Sequence, residues 1–221
     1  AVGETGDTVS ILLSDNDFVT SATLVAAIAF DAGSFPWNTA TVPDGTNYKI
    51  KVQSPLGVFD TSAAPFSVDN TPPTISSVTT YDVNGDGSVD KATIVFGEPV
   101  RDSSFSPSNF SISGTDGSSI NSGTVDDNTF DVIFPEITGT GVKTLTYTPG
   151  SGHDLADPGN LLAAASVPAT DAAAPVFLSA KTKTTITIEA TFSEDLNGST
   201  VNGSGNEFTV VGFAVSAANE T

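Results

Sequence analysis

Cysteine and methionine are absent from the 221-residue chain, and histidine and tryptophan appear once each, as His153 and Trp37. Without cysteine there can be no disulfide, zinc–thiolate site, iron–sulfur ligation or thiol nucleophile. A single histidine leaves little room for a histidine-built metal site or a Ser-His-Asp triad. Basic residues are scarce: 7 Lys and Arg stand against 26 Asp and Glu, a formal net charge of −19. Phosphate contacts depend on Lys and Arg, so the chain repels nucleic acid and anionic lipid, and no nucleic-acid partner is expected. No stretch approaches the ~20 apolar residues that span a bilayer, which argues against direct membrane insertion. Residues Ala1 to Asp7 lack a basic segment followed by an apolar run, and the chain does not begin with Met. It reads as a processed protein or a piece of a larger one, with any targeting signal elsewhere.

What is present points to strands. Asp supplies 19 of the 26 acids, and Ser with Thr fills about a quarter of the chain. Asp, Asn, Ser, Gly and Pro favour turns, Thr and Val favour strands, and the strong helix formers Glu, Lys, Arg and Met are few. The composition is all-β. At 38% hydrophobic residues, 14 of them Phe, the chain holds too much apolar area for a disordered acidic polymer and should fold.

Two Pro-bearing segments punctuate the sequence, Asp69-Asn70-Thr71-Pro72-Pro73 and Asp171-Ala172-Ala173-Ala174-Pro175, and each leads into an alternating stretch that begins a strand. The stretches beyond these two linkers also repeat. Ala92-Thr93-Ile94-Val95-Phe96-Gly97-Glu98 matches Ile188-Glu189-Ala190-Thr191-Phe192-Ser193-Glu194, and Asn109-Phe110-Ser111-Ile112-Ser113-Gly114 matches Glu207-Phe208-Thr209-Val210-Val211-Gly212. A period near 100 residues with several short strands suits a β-sandwich of immunoglobulin size. The expected organisation is the C-terminal part of one sandwich over 1–69, a complete Ig-like sandwich over 70–171 and the N-terminal part of a second repeat over 172–221. The first segment should hold four to five strands, including Thr8 to Ser14, Leu24 to Phe30, Tyr48 to Val52 and Pro65 to Val68. The terminal domains are read as incomplete, either cut from a longer tandem array or completed by neighbouring chains through strand addition.

The most specific motif is Asp82-Val83-Asn84-Gly85-Asp86-Gly87-Ser88-Val89-Asp90. Oxygen-bearing side chains at Asp82, Asn84, Asp86, Ser88 and Asp90 occupy alternate positions, and a Gly at position 6 permits a sharp turn. Such a loop wraps one hard cation, and calcium is the expected ion. Thr93 stands at position 12, where an EF-hand places a bidentate Glu, so a further ligand must come from elsewhere or from water. The competing reading is an Asx- and Gly-stabilised hairpin turn that binds no metal.

The Pro-Pro linker, the Asp/Asn/Gly loop, Ile94-Val95-Phe96-Gly97-Glu98-Pro99-Val100 and the later Asp154-Leu155-Ala156-Asp157-Pro158-Gly159-Asn160 together resemble bacterial-type Ig-like repeats. These occur in adhesins, surface-layer proteins and multidomain secreted enzymes. The resemblance covers residues 71 to 171 well and 173 to 221 in part; residues 1 to 69 look like the end of a different Ig- or fibronectin-like surface domain. It implies an extracellular, cell-surface setting and partners that are other domains of the same long chain, further copies of it, or surface glycans.

Simple sandwich geometry extends the calcium reading. If the first strand leaves its linker at one end, Glu98 and Asp102 return to that end, near Asp69 and Asn70. The Asp82 to Asp90 loop then lies at the opposite end, facing Asp171, Glu194 and Asp195. These acids are candidate junction ligands whose mutual repulsion calcium would neutralise; solvated strand ends are the alternative.

Other candidates are weaker. His153 sits in a Gly- and Pro-flanked loop with no Gly-x-Ser-x-Gly elbow, and the paired Asp126 and Asp127 lack the aromatic groove of a glycosidase. Trp37, Tyr48, Tyr81 and Tyr147 are spaced as core residues rather than as a sugar-stacking row. Glycosylation sequons begin at Asn109, Asn197, Asn202 and Asn219, a number that composition alone would produce. The expected function is therefore a non-catalytic, calcium-stabilised segment of a surface layer, filament or adhesin stalk. The runner-up is an accessory or carbohydrate-binding module of a secreted polysaccharide-degrading enzyme.

Overall fold

Apolar side chains that recur at every second residue can all be buried only if the chain is extended and one face of each strand is covered. The computed structural model of the chain, which describes residues 7–197, is built from such strands, with 3-10 turns as its only helical elements among the described residues. No helix among these residues is long and apolar enough to cross a membrane. The chain divides into two compact units, Ala1–Thr71 and Pro72–Thr221. The sequence match at Glu207 to Gly212 and the sequons at Asn202 and Asn219 lie outside the described residues.

Among the described residues, unit 1 holds five strands: β1 (Thr8–Ser14), β2 (Ala22–Ala29), β3 (Gly45–Gln53), β4 (Phe59–Thr61) and β5 (Phe66–Val68). They form an antiparallel sheet in the order β2-β1-β3-β4, with β5 also paired to β3. Its core is small. Leu13, Tyr48 and Val68 are buried, with Leu24, Trp37, Val42, Ile50 and Phe66 packed against them. The Tyr48 hydroxyl reaches the carbonyl of Pro43 at 2.8 Å, so the ring is buried without leaving its polar end unbonded.

Unit 2 contains β6 (Ile75–Tyr81), β7 (Ser88–Phe96), β8 (Phe110–Ile112), β9 (Thr115–Asp116), β10 (Ser119–Asn121), β11 (Thr129–Thr138), β12 (Thr144–Tyr147), β13 (Ala165–Pro168), β14 (Thr170–Asp171), β15 (Phe177–Thr184) and β16 (Thr187–Phe192). One sheet runs β10-β11-β7-β6-β14 and a second runs β13-β12-β8-β9. All pairings are antiparallel except that of β14 with β6. Alternation makes the layers: in β7, Ala92, Ile94 and Phe96 are buried, with Val89 buried one step out of phase, and in β12, Leu145 and Tyr147. The two sheets share one core, in which Phe96, Phe105, Phe110, Phe130 and Tyr147 form a chain of tilted, edge-on and stacked ring contacts. Five of the fourteen Phe, Phe96, Phe105, Phe110, Phe130 and Phe134, sit in this core, where two sheets are filled by large rigid rings. The β15–β16 hairpin pairs only with itself among the described residues, and every residue of β15 is exposed.

Candidate metal centre

The loop between β6 and β7 is shaped by its own acids. Asp82 accepts hydrogen bonds at Oδ1 from the backbone N–H of Gly85 (2.7 Å) and Asp86 (3.2 Å), and at Oδ2 from that of Gly87 (2.8 Å). Asn84 Oδ1 takes the Asp86 N–H at 3.0 Å, Asp86 Oδ1 takes the Ser88 N–H at 3.0 Å, and Asp90 Oδ1 takes the Val83 N–H at 3.0 Å. The loop closes on itself through these bonds and through Gly85 and Gly87, whose φ of +75° and +93° an L side chain rarely adopts. The five sequence-predicted residues, Asp82, Asn84, Asp86, Ser88 and Asp90, are therefore wound into one turn.

Glu136, on β11, is a residue the sequence reading missed. Its Oε1 accepts a bond from Asn84 Nδ2 at 3.1 Å, and the same amide reaches Asp86 Oδ2 at 3.1 Å. Partial desolvation, then the charges of Asp86 and Asp90, and finally that of Asp82 hold the Glu136 carboxyl above the ordinary carboxylate range. The cause of the placement is local: between Ile133 and Ile137 the register of β11 on β7 slips, and the bulge at Phe134, Pro135 and Glu136 turns the last of these toward the loop. Pro135 within an apolar run was the available signal, because proline in a strand marks a bulge or an edge. Thr93, at the EF-hand position for glutamate, is instead bonded to Asp131 Oδ1 at 2.6 Å.

Among the described residues, no three carboxylates of this loop lie within 4.8 Å of one another. Calcium takes oxygen ligands at about 2.3–2.6 Å, so ligands sharing one ion lie within about 5 Å of each other, and the loop would tighten around it. The donor set, made of carboxylates and an amide carbonyl with free lone pairs, suits a hard cation rather than a soft one.

A second group of acids lies at the start of the last hairpin. Asp171 ends β14 and accepts the Ala173 N–H at 3.0 Å. Glu194 follows β16, and its carboxyl is pushed up by desolvation first, then by a hydrogen bond to Asp171 and by that group's charge; Thr140 opposes the shift. Glu194 Oε1 is buried and has no hydrogen-bond partner. Asp195 is exposed and adds a smaller repulsion.

Glu98 and Asp102 lie beyond β7. A Glu98 carboxylate oxygen comes within 4.8 Å of one from Asp154. Asp154 is buried, with Oδ1 bound by the Asp157 N–H at 2.5 Å and Oδ2 by Asn160 Nδ2 at 2.7 Å. Asp102 is part of a reciprocal brace: its N–H donates to Asp126 Oδ1, the Asp126 N–H donates back to Asp102 Oδ2, both at 3.1 Å, and Arg101 Nη1 meets Asp126 Oδ2 at 2.5 Å. Asp126 is thereby occupied in holding two loops together. In unit 1, Asp69 accepts the Thr71 N–H at 3.2 Å, and the Asn70 amide is spent on the carbonyls of Thr39 (3.0 Å) and Val42 (2.8 Å). Asp44 ties this segment down through Thr71 and the Asn70 N–H, which lower its pKa.

The remaining aromatic candidates take structural places. Tyr48 and Tyr147 are buried, Trp37 meets Phe66 edge-on at 6.4 Å, and Tyr81 lies under the Lys91 ammonium at 4.5 Å. His153 Nδ1 sits 2.6 Å from the carbonyl of Asp154. No protein-family model matches the chain, no curated protein matches it, and no solved structure matches it.

Proposed function

We propose that the chain is a structural, calcium-stabilised segment of an extracellular cell-surface protein built from Ig-like β-sandwich repeats. The observation that carries this reading is the convergence of Asp82, Asp86, Asp90 and Glu136 on one Gly-containing loop, a concentration of negative charge that a divalent cation would relieve. Asp82, Asn84, Asp86, Ser88, Asp90 and Glu136 would hold the ion, which supplies cross-linking charge and no chemistry. The acids at Asp171, Glu194 and Asp195 offer a weaker second position, where an ion would relieve the charge that Asp171 and Asp195 bring to Glu194. A cysteine-free chain cannot be stiffened by disulfides, and at −19 net charge it gains from bound cations. The role as surface layer, filament or adhesin stalk rests on the Ig-like resemblance of the repeats. The test is thermal unfolding in millimolar calcium and in EGTA. A ligand that binds only the native state at ~100 times its Kd adds about 2.7 kcal/mol, so unit 2 should melt several degrees higher with calcium. An unchanged midpoint contradicts the proposal.

A further inference from the structure

The loop between β1 and β2 turns through a costly backbone conformation. At Asp17 and Phe18 φ is +56° and +65°, and the Val19 N–H returns to the Asn16 carbonyl at 3.3 Å. Two positive φ angles in one tight turn suit Asn-Gly, and a phenylalanine there crowds its own backbone. The loop is nevertheless firmly held. The buried Ser14 hydroxyl accepts the N–H of Phe18 at 2.9 Å and of Asn16 at 3.2 Å and donates to the Thr20 carbonyl at 2.7 Å. Asn16 accepts the Thr20 N–H at 3.0 Å and donates to its hydroxyl at 2.7 Å. What the strain achieves is the placement of one ring. Phe18, only half-buried, lies with its centroid 4.2 Å from the Lys51 ammonium, and Phe59 of β4, 60% exposed, flanks the same ammonium at 5.1 Å. A cation–π contact at so open a site returns no more than the strained turn costs, so stability alone does not account for the arrangement.

Lys51 is also unusual among the cations of the chain. Lys49, Lys91, Arg101, Lys181 and Lys183 each pair with a carboxylate, and Lys143 donates to the Thr138 carbonyl. Among the described residues Lys51 has neither kind of partner, in a chain that holds 26 acids. Thr61 stands opposite Lys51 in register and Phe59 opposite Gln53, so rings, ammonium, amide and hydroxyl share one face of the sheet, the one that Tyr48 and Ile50 do not occupy. Each component restricts the ligand. An ammonium between two phenyl rings and without a counter-ion takes a carboxylate and rejects a cation. Exposed ring faces take a flat surface of C–H groups, which a simple anion lacks. Residues 1–71 carry eight acids against two lysines, so a polyanion is repelled and a single acid on a neutral carrier is favoured. We propose that Phe18, Lys51 and Phe59 form a binding site for one uronic acid unit of an otherwise neutral polysaccharide. The pyranose ring stacks on the phenyl rings, its carboxylate meets the Lys51 ammonium, and Gln53 and Thr61 bond to its hydroxyls. The site uses none of the calcium candidates, so the two readings fail separately.

The experiment is an NMR titration of the full chain with methyl glucuronoside, beside methyl glucoside, which keeps the ring and lacks the acid, and acetate, which keeps the acid and lacks the ring. The glucuronoside should give saturable shifts at Phe18, Lys51 and Phe59, and each half-ligand should bind on the order of tenfold more weakly, as for loss of one charge-assisted contact. Lys51→Met, which keeps the apolar stem, and Phe59→Ala should each weaken glucuronoside binding by about the same factor. Phe18→Gly separates a ligand site from a structural brace: it relieves the left-handed strain, so the melting midpoint should stay level or rise while binding weakens. Absence of saturable shifts with the glucuronoside, or acetate binding as tightly as the glucuronoside, overturns the proposal. So does glucuronoside binding that Phe18→Gly and Phe59→Ala leave unchanged.

Discussion

The hairpins β6–β7 and β15–β16 come from matching stretches of sequence and end in different environments. Ala92, Ile94 and Phe96 of β7 are fully buried, whereas the matching Ile188 is 56% exposed, Ala190 is exposed and Phe192 is half-buried. The alternation is the same in both. What differs is the cover: over β6–β7 lies a second sheet that contributes Phe110, Ile112, Leu145 and Tyr147, and the described residues place no such sheet over β15–β16. Burial is thus a property of the assembled layers, and a strand pattern states only which face requires cover. The hairpins differ also at their turns. Six residues, two of them Asp, join β6 to β7, and two, Thr185 and Ile186, join β15 to β16, so the acidic loop belongs to one copy and not to the repeat.

The largest expected effect separates the two cores. Phe96→Ala removes a ring at the centre of the aromatic chain and should cost about 3–5 kcal/mol in urea unfolding. Phe192, at the matching position, is half-buried and meets the exposed Phe177 edge-on at 5.7 Å, and Phe192→Ala should cost about 1 kcal/mol or less. Equal costs would mean that β15–β16 carries a hidden core of its own.

The second effect tests the difference between the turns. Asp82→Asn takes away the charge of an ionic ligand and replaces one of the two acceptor oxygens that hold Gly85, Asp86 and Gly87 by a donor, and should abolish the calcium-dependent part of the melting midpoint. No substitution in the Thr185–Ile186 turn should change that part at all.

The third effect is in pH. A carboxyl whose folded-state pKa is raised binds its proton more tightly in the folded protein. Its destabilising influence is absent below the ordinary value of 4.5, grows as pH rises, and is complete above the raised value. In EGTA, acidification from neutrality toward about 4.5 should therefore relieve a repulsion at Glu136, and Glu136→Gln should remove that component of the pH profile. With calcium the sense reverses, since proton and ion compete for the same oxygens, and calcium affinity should fall as pH drops through the same window.

The smallest effect belongs to the exposed face of the second hairpin. Glu189 is held below the ordinary carboxylate range by hydrogen bonds from Lys181 and then Lys183, at 2.9 and 3.3 Å. Its contribution is present above the ordinary pKa and disappears as pH falls through the lowered one, and Glu189→Gln should move the melting midpoint by no more than experimental scatter because exposed pairs are screened.

Much of the fold was legible in the residues. The turn-rich, Thr- and Val-rich composition gave an all-β chain, and the alternation marked strands at Ala92 to Phe96, with one buried face, and at Tyr48 to Val52, where Tyr48 is buried and Val52 exposed. The loop acids were visible because Asx and Gly act through local backbone bonds, which sequence spacing encodes directly. Glu136 was not visible. It reaches the loop through a bulge in a strand 46 residues downstream of Asp90, and only the register of β11 on β7 decides that it meets Asn84. Asn70 shows the converse. Its position beside a Pro-Pro linker suggested a ligand, while its amide is already committed to Thr39 and Val42, carbonyls in a loop some 30 residues away. Long-range partners of that kind leave no trace in local spacing.

The most direct test of the central claim is a calcium titration by calorimetry of the whole chain beside its Glu136→Gln and Asp82→Asn forms. A saturable binding heat in the wild type, weakened about tenfold by Glu136→Gln, as expected for loss of one ligating charge, and removed by Asp82→Asn, is the predicted result. No heat at millimolar calcium, or a heat indifferent to both substitutions, would contradict it.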